Sequence, residues 1–383
     1  MTAAPHDAEL APIREAVRAL CAEFPGEYWR KVDRERAYPT EFVEALTKAG
    51  FLGALIPEEY GGSGLTMPAA AAIMEEIHAA GCNGAACHAQ MYTMGTVLRH
   101  GSAAQKQQYL PGIASGALRL QAFGVTEPTS GTDTSSLKTF ARREGDHYVV
   151  NGQKIWTTLG QHADWIFALV RTDPDAQPRH AGISFLLIDL HSPGIRIRPI
   201  MTIAGDDEFA EVFFDDVEVP AENLVGKLND GWRIANALLG HERLGTSNPQ
   251  FALQALDRIK AMARATGIIA DPAFQDRLAA ASINVTALSA MFAHAVELTN
   301  NERSLGPESS VVKIFSSELL QSLNELLIEA AGGHAAMENP VATNAGVVDV
   351  AIPFLFSRRV TIYGGSSEIQ RNVLARRVLN LPA

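Results

Sequence analysis

Residues 238–246 read LLGHERLGT and set an acid, Glu242, beside a guanidinium, Arg243. The run-in DGWRIANALLG has helical spacing, with Trp232, Ala235, Leu238 and Leu239 on one stripe. Continuing that stripe brings Glu242 onto it among apolar neighbours. A carboxylate there costs free energy unless a neighbour such as Arg243 or His241 pairs with it, or a reaction uses it.

Three other stretches carry usable groups. QAFGVTEPTSGTD (121–133) combines a Thr-Glu-Pro turn with Gly131-Thr132, which offers hydroxyls and N–H groups on a rim that a ligand can approach. A polar loop entering a β domain would read the same way. KIWTT (154–158) spaces Trp156 and Thr158 two apart on a strand, hence on one face. An indole beside a hydroxyl suits a planar heterocycle, and it also suits an ordinary core. In TIYGGSSEIQRN, Gly364-Gly365-Ser366-Ser367 opens a helix whose free N–H groups can hold an anion. Ser366 or Ser367 also reads as a plain N-cap.

The elements that must position these groups fall into three textures. Residues 1–120 are helical in pattern (APIREAVRALCAEF, PTEFVEALTKAGF, MPAAAAIMEEIHAAG), with loops such as IPEEYGGSGLT. Residues 121–228 are strand-like: WIFALVRTD, GISFLLIDL, GIRIRPI and AEVFFDDVEVP follow one another at strand lengths. In HYVVNGQKIWTT, Asn151-Gly152 predicts a hairpin turn. Residues 229–383 return to long amphipathic helices, expected at 231–264, 272–300, 308–331 and 367–379. The predicted class is α+β, segregated into layers and not alternating βαβ. GGSGLT lacks the preceding strand and the spacing of a dinucleotide fingerprint and reads as a loop.

Composition narrows the classes. Apolar residues are 47% and charged residues 20%, ordinary for a soluble globular chain. The formal charge of −11 argues against nucleic acid or an anionic membrane as partner. Cys21, Cys82 and Cys87 are odd in number and show no ligand spacing, and the 11 histidines form no HExxH pattern, so neither disulfides nor a metal site is expected. No apolar run approaches roughly 20 residues, and the N-terminus has no signal-type core, so a cytoplasmic protein is expected.

Together the TEP…GTD segment, the NGxKxW stretch, AEVFFDDVEVPAENLVG and GGSSEIQRN resemble the acyl-CoA dehydrogenase family in order and spacing, over nearly the whole chain. The resemblance implies an N-terminal helical domain, a middle β-barrel domain and a C-terminal helical bundle. It implies FAD as cofactor and an acyl-CoA substrate desaturated at its α,β bond, with electrons passed to an electron-transfer flavoprotein. It also implies a homo-oligomer, a dimer or homotetramer. Carried over residue by residue, Phe123, Val125 and Thr126 would meet the flavin, and Gly131 and Thr132 lie where flavin and the CoA arm meet. Trp156 and Thr158 match the packing tryptophan and the hydroxyl near N5, and Ser366 and Glu368 match the FAD turn. Arg243 matches the arginine that binds the CoA portion.

Many members carry the base glutamate where this sequence has Gly364. A subset resembling isovaleryl-type and long-chain-type enzymes places it one residue before the CoA-binding arginine, which here is Glu242. Burial beside Leu238 and Leu239 would favour its neutral form and bring its pKa towards a useful range. Gly364 would then leave room at the substrate. Two departures stand out. MARATGIIADP has Arg264 but no Phe-Gly to reach a neighbouring subunit's FAD, and Glu329 replaces a usual glutamine in IEAAGG. These leave two further readings open. One is a non-catalytic partner in a two-subunit dehydrogenase with an unlike subunit, and the other is an oxidase or monooxygenase on the same fold.

Overall fold

The computed structural model describes residues 7–88, 91, 94–300, 306–337 and 339–382; the side chains at 7, 8, 88, 239–246, 299 and 300 lie outside the described set. Contact density divides the chain into two units, 1–241 and 242–383. That division falls inside a helix, downstream of the change of texture at 228/229.

The first unit begins with α1 (Asp7–Ala22), α2 (Gly26–Glu35), α3 (Thr40–Lys48), α4 (Met67–Ala79), α5 (Ala85–His88), α6 (Gly95–His100) and α7 (Ala103–Ala114). Stripes of α1, α3 and α4 meet, together with Leu52 of the following turn, in a core of Val17, Phe42, Leu46, Leu52, Ile73 and Ile77. Each such side chain contributes roughly 1.5–3 kcal/mol by leaving water. Arg14 and Arg18 reach across from α1 to the buried Glu76 of α4, at 2.9 and 2.6 Å, so that acid is paired.

The sheet follows as β1 (Leu120–Gly124), β2 (Phe140–Glu144), β3 (His147–Thr158), β4 (Trp165–Arg171), β5 (Ile183–Asp189), β6 (Ile195–Ile200) and β7 (Phe209–Pro220). The strand order is β1-β4-β2-β3-β7-β6, with β5 on β4. On one face Phe167, Leu169, Phe185 and Leu187 pack with Val97, Tyr109 and Ile113 of the helices. On the other, Ile166, Ala168, Leu186 and Ile188 pack with Val150, Val212 and Val217. Burial on both faces is why IFALV and ISFLLI read as continuous apolar runs. β6, half covered, keeps its Ile/Arg alternation.

The hairpin turn is not at Asn151-Gly152. β2 and β3 are joined by Gly145-Asp146, with Glu144 opposite His147 and Gly145 at φ 62°. Asn151-Gly152 instead lies inside β3 at a register shift against β7. Asn151 donates to Asp216 Oδ1 at 2.8 Å and accepts from the Asp216 N–H at 3.0 Å, which pins the irregularity. Gly152 sits at φ 147°, and a Cβ there would come within 2.6 Å of the Thr139 backbone. Asn-Gly therefore serves a bulge between two partner strands, where no room exists to reverse the chain.

Helix α8 (Gly231–Thr246) straddles the division and α9 (Gln250–Thr266) follows it. The single helix expected over 231–264 is broken at Ser247-Asn248-Pro249. Pro249 has no N–H to continue the ladder, and Asn248 Oδ1 takes up the Gln250 N–H at 2.9 Å. The second unit continues with α10 (Pro272–Asn300), α11 (Glu308–Ala331), β8 (Val341–Thr343), β9 (Gly346–Val348), α12 (Ala351–Ser357) and α13 (Ser367–Arg377). The small β8–β9 hairpin and α12 had no expectation from the sequence. Ile259, Met262, Phe274, Leu288, Phe292, Leu323 and Leu327 form its core.

Among the described residues one segment, Pro272–Leu298 of α10, is long and apolar enough to cross a membrane by length and composition. Alanines and polar residues separate its large apolar ones, so no continuous apolar run marked it in the sequence. Phe274, Val285, Leu288, Phe292 and Ala295 face the core of the unit, while Ile283 is exposed.

Candidate active site

The loop after β1 is held by a buried ion pair that the motifs themselves supply. Glu127 of the TEP turn meets Lys154 of NGQKIW at 2.8 Å, with the lysine side chain fully buried. Glu127 also accepts the N–H groups of Lys138 and Thr139 at 2.6 and 2.9 Å. Lys154 adds a bond to the Val125 carbonyl at 3.3 Å, and the Ile155 N–H reaches the Thr126 carbonyl at 2.9 Å. Burial lowers the Lys154 ammonium to about 8, although Glu127 opposes that shift. Burial pushes Glu127 the other way, but the Lys154 charge and the hydrogen bonds outweigh it and hold its carboxyl below the ordinary value. Sequence reasoning picked neither residue, although a Glu and a Lys inside the two motifs were the available signal.

This clamp brings the predicted residues of the loop against β3. Phe123 is half-buried on Phe167 and Phe185, ring centres 5.0 and 6.1 Å away. Val125 and Thr126 are half-buried, and Gly131 and Thr132 are exposed on the rim. A Cβ at Gly131 would meet nothing closer than Thr126 Cγ2 at 3.9 Å, so the rim is open.

Trp156 is 52% exposed, Thr157 is buried and Thr158 is half-buried, so Trp156 and Thr158 lie on the side away from the core. That rules out the core-tryptophan reading. The register shift between Lys154 and Thr157 places Trp156 at φ 62°. A bulky residue in the left-handed region stores strain of order 1–3 kcal/mol, which persists where the surroundings impose it and often marks a ligand site. The Phe209 ring stands at 84° to the indole with ring centres 5.9 Å apart, and the exposed part of the indole can pack on a planar ring.

In the second unit, Gly364 and Gly365 sit at φ 65° and 90° and lead into α13. Ser366 is the N-cap, its hydroxyl accepting from the Ile369 N–H at 3.4 Å. Glu368 is exposed in the first turn; its own backbone N–H, and then Ser366, lower its pKa. Gln370, buried and not foreseen, ties the turn down: it accepts from Ser310 at 2.8 Å and donates to the Gly365 carbonyl at 3.2 Å. Glu329 is paired with Arg277, which offsets the charge it would turn on a pyrophosphate.

Positions 242 and 243 belong to α8, but the side chains of Glu242 and Arg243 lie outside the described residues. The stripe leading to them is described: Ala235 and Leu238 are buried and Trp232 is half-buried. Among the described residues no group of three or more His, Cys, Asp or Glu could hold a metal ion.

Three family models match the chain in order: the acyl-CoA dehydrogenase N-terminal domain over 7–117, the middle domain over 122–217 and the C-terminal domain over 229–379. The chain belongs to the acyl-CoA dehydrogenase family. It is an oxidoreductase acting on acyl-CoA, and its cofactor is FAD. The exposed Trp156 face, the Thr158 hydroxyl and the open rim at Gly131 fit that cofactor's planar ring. This dehydrogenase is 37% identical to acyl-CoA dehydrogenase IpdE1 of Mycobacterium tuberculosis, over 94% of this chain and 91% of that one. An acyl-CoA dehydrogenase structure from Geobacillus kaustophilus matches with a TM-score of 0.90 at 26% identity, covering 98% of this chain and 100% of that one. The ChsE4-ChsE5 complex from Mycobacterium tuberculosis matches with a TM-score of 0.84 at 28% identity, covering 100% and 99%.

Proposed function

We propose that this dehydrogenase removes the α- and β-hydrogens of an acyl-CoA thioester, with Glu242 as the base and Arg243 holding the CoA portion. The observation that carries the assignment is the turn at 364–365, where two successive left-handed residues favour glycine and leave position 364 without a side chain. The acid nearest in motif logic is then Glu242 of α8. It takes the α-proton, while hydrogen-bond donors polarise the thioester carbonyl as charge develops on it. Bound FAD supplies the hydride acceptor. Trp156 orients the ring by packing on it, and Thr158 donates to its edge. Phe123, Val125, Thr126, Gly131, Thr132, Ser366 and Glu368 complete the cofactor contacts, and Thr132 and Gly364 border the substrate. The chain's three domains are taken as 1–120, 121–228 and 229–383, and the electrons pass to an electron-transfer flavoprotein.

Arg243→Ala tests the CoA contact. A lost charge-assisted bond costs roughly 1.5–3 kcal/mol, so affinity for CoA esters should fall tenfold or more. Short thioesters lacking the nucleotide should bind unchanged; equal losses on both would remove Arg243 from the CoA arm.

Self-association is supported by the exposed side of α10, where Ala280, Ile283, Ala287 and Ala290 are small or apolar. Purified alone, the chain should be a yellow homo-oligomer by light scattering. A second reading, an unlike partner subunit, is favoured by Gly364, Glu329 and the two-protein ChsE4-ChsE5 relative. A colourless chain that takes up FAD only with a second gene product would support that reading instead.

A further inference from the structure

A partly enclosed cavity lies within the second unit, walled by the start of α9, by α11 and by the segment from α12 to Tyr363. It offers about 50 Å³ to water-sized groups, where one ordered water needs roughly 10–15 Å³. Most of its lining is apolar, Phe251, Leu288, Leu320, Phe356 and Val360 among it, and a few polar side chains are set into that wall. Ser247 is only 1% exposed, and its hydroxyl has no hydrogen-bond partner among the described residues. The Ser316 and Ser317 hydroxyls donate to the Lys313 carbonyl at 3.1 and 2.8 Å, so their own oxygens keep lone pairs for an acceptor role. Lys313 itself is buried on the same wall.

A purely hydrocarbon occupant would leave the Ser247 hydroxyl dry and unpaired, which is unfavourable. An occupant bearing an oxygen would satisfy it. The cavity also borders the stretches that carry the chemistry: Tyr363 directly precedes Gly364, and Ser247 directly follows α8, which holds Glu242 and Arg243.

We propose that this cavity receives a hydroxyl or carbonyl oxygen carried by the acyl group remote from its thioester, with Ser247 as the residue that selects it. This rests on the acyl-CoA dehydrogenation reading above and narrows its substrate class to oxygenated acyl groups. The competing occupant is water, which would fill the cavity without affecting substrate choice.

The test is equilibrium binding to the FAD-loaded enzyme of paired CoA esters over a series of chain lengths, each straight-chain acyl group against its ω-hydroxy counterpart. At the length that reaches the cavity, the ω-hydroxy ester should bind roughly fivefold to tenfold tighter, the range one net hydrogen bond supplies. In Ser247→Ala the ratio of the two dissociation constants should fall to near one, with thermal stability no lower than wild type because an unpaired buried hydroxyl has gone. Equal binding of both esters at every length would overturn the proposal, as would a preference that survives in Ser247→Ala. Binding of hydrocarbon esters without any preference would leave the dehydrogenase reading intact, whereas failure of every CoA ester to bind would remove both.

Discussion

Glutamine in place of Glu242 should slow anaerobic reduction of the bound flavin by the best acyl-CoA by roughly 10²–10⁴-fold, the usual contribution of a positioned general base. Size and helix propensity barely change, so FAD content and acyl-CoA affinity should survive. Wild-type reduction should rise with pH as the carboxyl ionises and then level off, and the variant should lack that rise. Moving the acid, with Glu242→Gly and Gly364→Glu together, should restore part of the rate. It should also lower stability, because Gly364 sits at φ 65° and a side chain there costs about 1–2 kcal/mol. If Glu242→Gln reduces its flavin as fast as wild type, the acid is a structural partner of Arg243 and the base lies elsewhere.

The second large effect lies at the clamp under the loop proposed to meet the flavin. Lys154→Met leaves the Glu127 carboxylate buried with no countercharge, a change worth roughly 3–5 kcal/mol. Stability by chemical denaturation should drop accordingly. FAD retention should fall with it, because Val125, Thr126, Gly131 and Thr132 hang from the segment that Lys154 and Glu127 secure. Adding Glu127→Gln should recover part of the loss.

A pH signature accompanies this. Folding lowers Lys154 to about 8 from 10.5. Between those values the unfolded chain holds more protons, so this group's contribution to stability rises as pH goes from about 8 towards 10.5. Below about 8 that contribution is lost. Lys154→Met should flatten the slope. An unchanged denaturation midpoint in Lys154→Met would show that the pair does not hold the loop.

Much of the architecture was legible because hydrophobic period survives in each element: stripes gave α1, α3, α4 and α11, and doubly buried strands gave β4 and β5. What escaped depended on partners distant in sequence. Asn151-Gly152 carries the strongest local turn signal, yet Thr139 and Asp216 on neighbouring strands make it a bulge. The break at Pro249 was hidden because apolar residues recur on both sides of it. At the site, Trp156 and Thr158 could be singled out from type and spacing, but those left an ordinary core open, and the flavin role came only from the resemblance. Glu127, Lys154 and Gln370 could not be singled out, since each is a motif residue whose role is to hold other motif residues, and burial of a charge is visible only once its partner is placed. Ser247 escaped for a similar reason: inside the helix expected over 231–264 a serine has no evident role until the break and the cavity beside it are seen.

The most direct measurement is an anaerobic titration of the purified, FAD-loaded chain with a panel of acyl-CoAs differing in length, branching and ring content, followed by flavin absorbance. The account predicts that at least one acyl-CoA bleaches the flavin, with the matching enoyl-CoA as product. A chain that binds FAD and acyl-CoA yet keeps its oxidised spectrum with every member of the panel would contradict it.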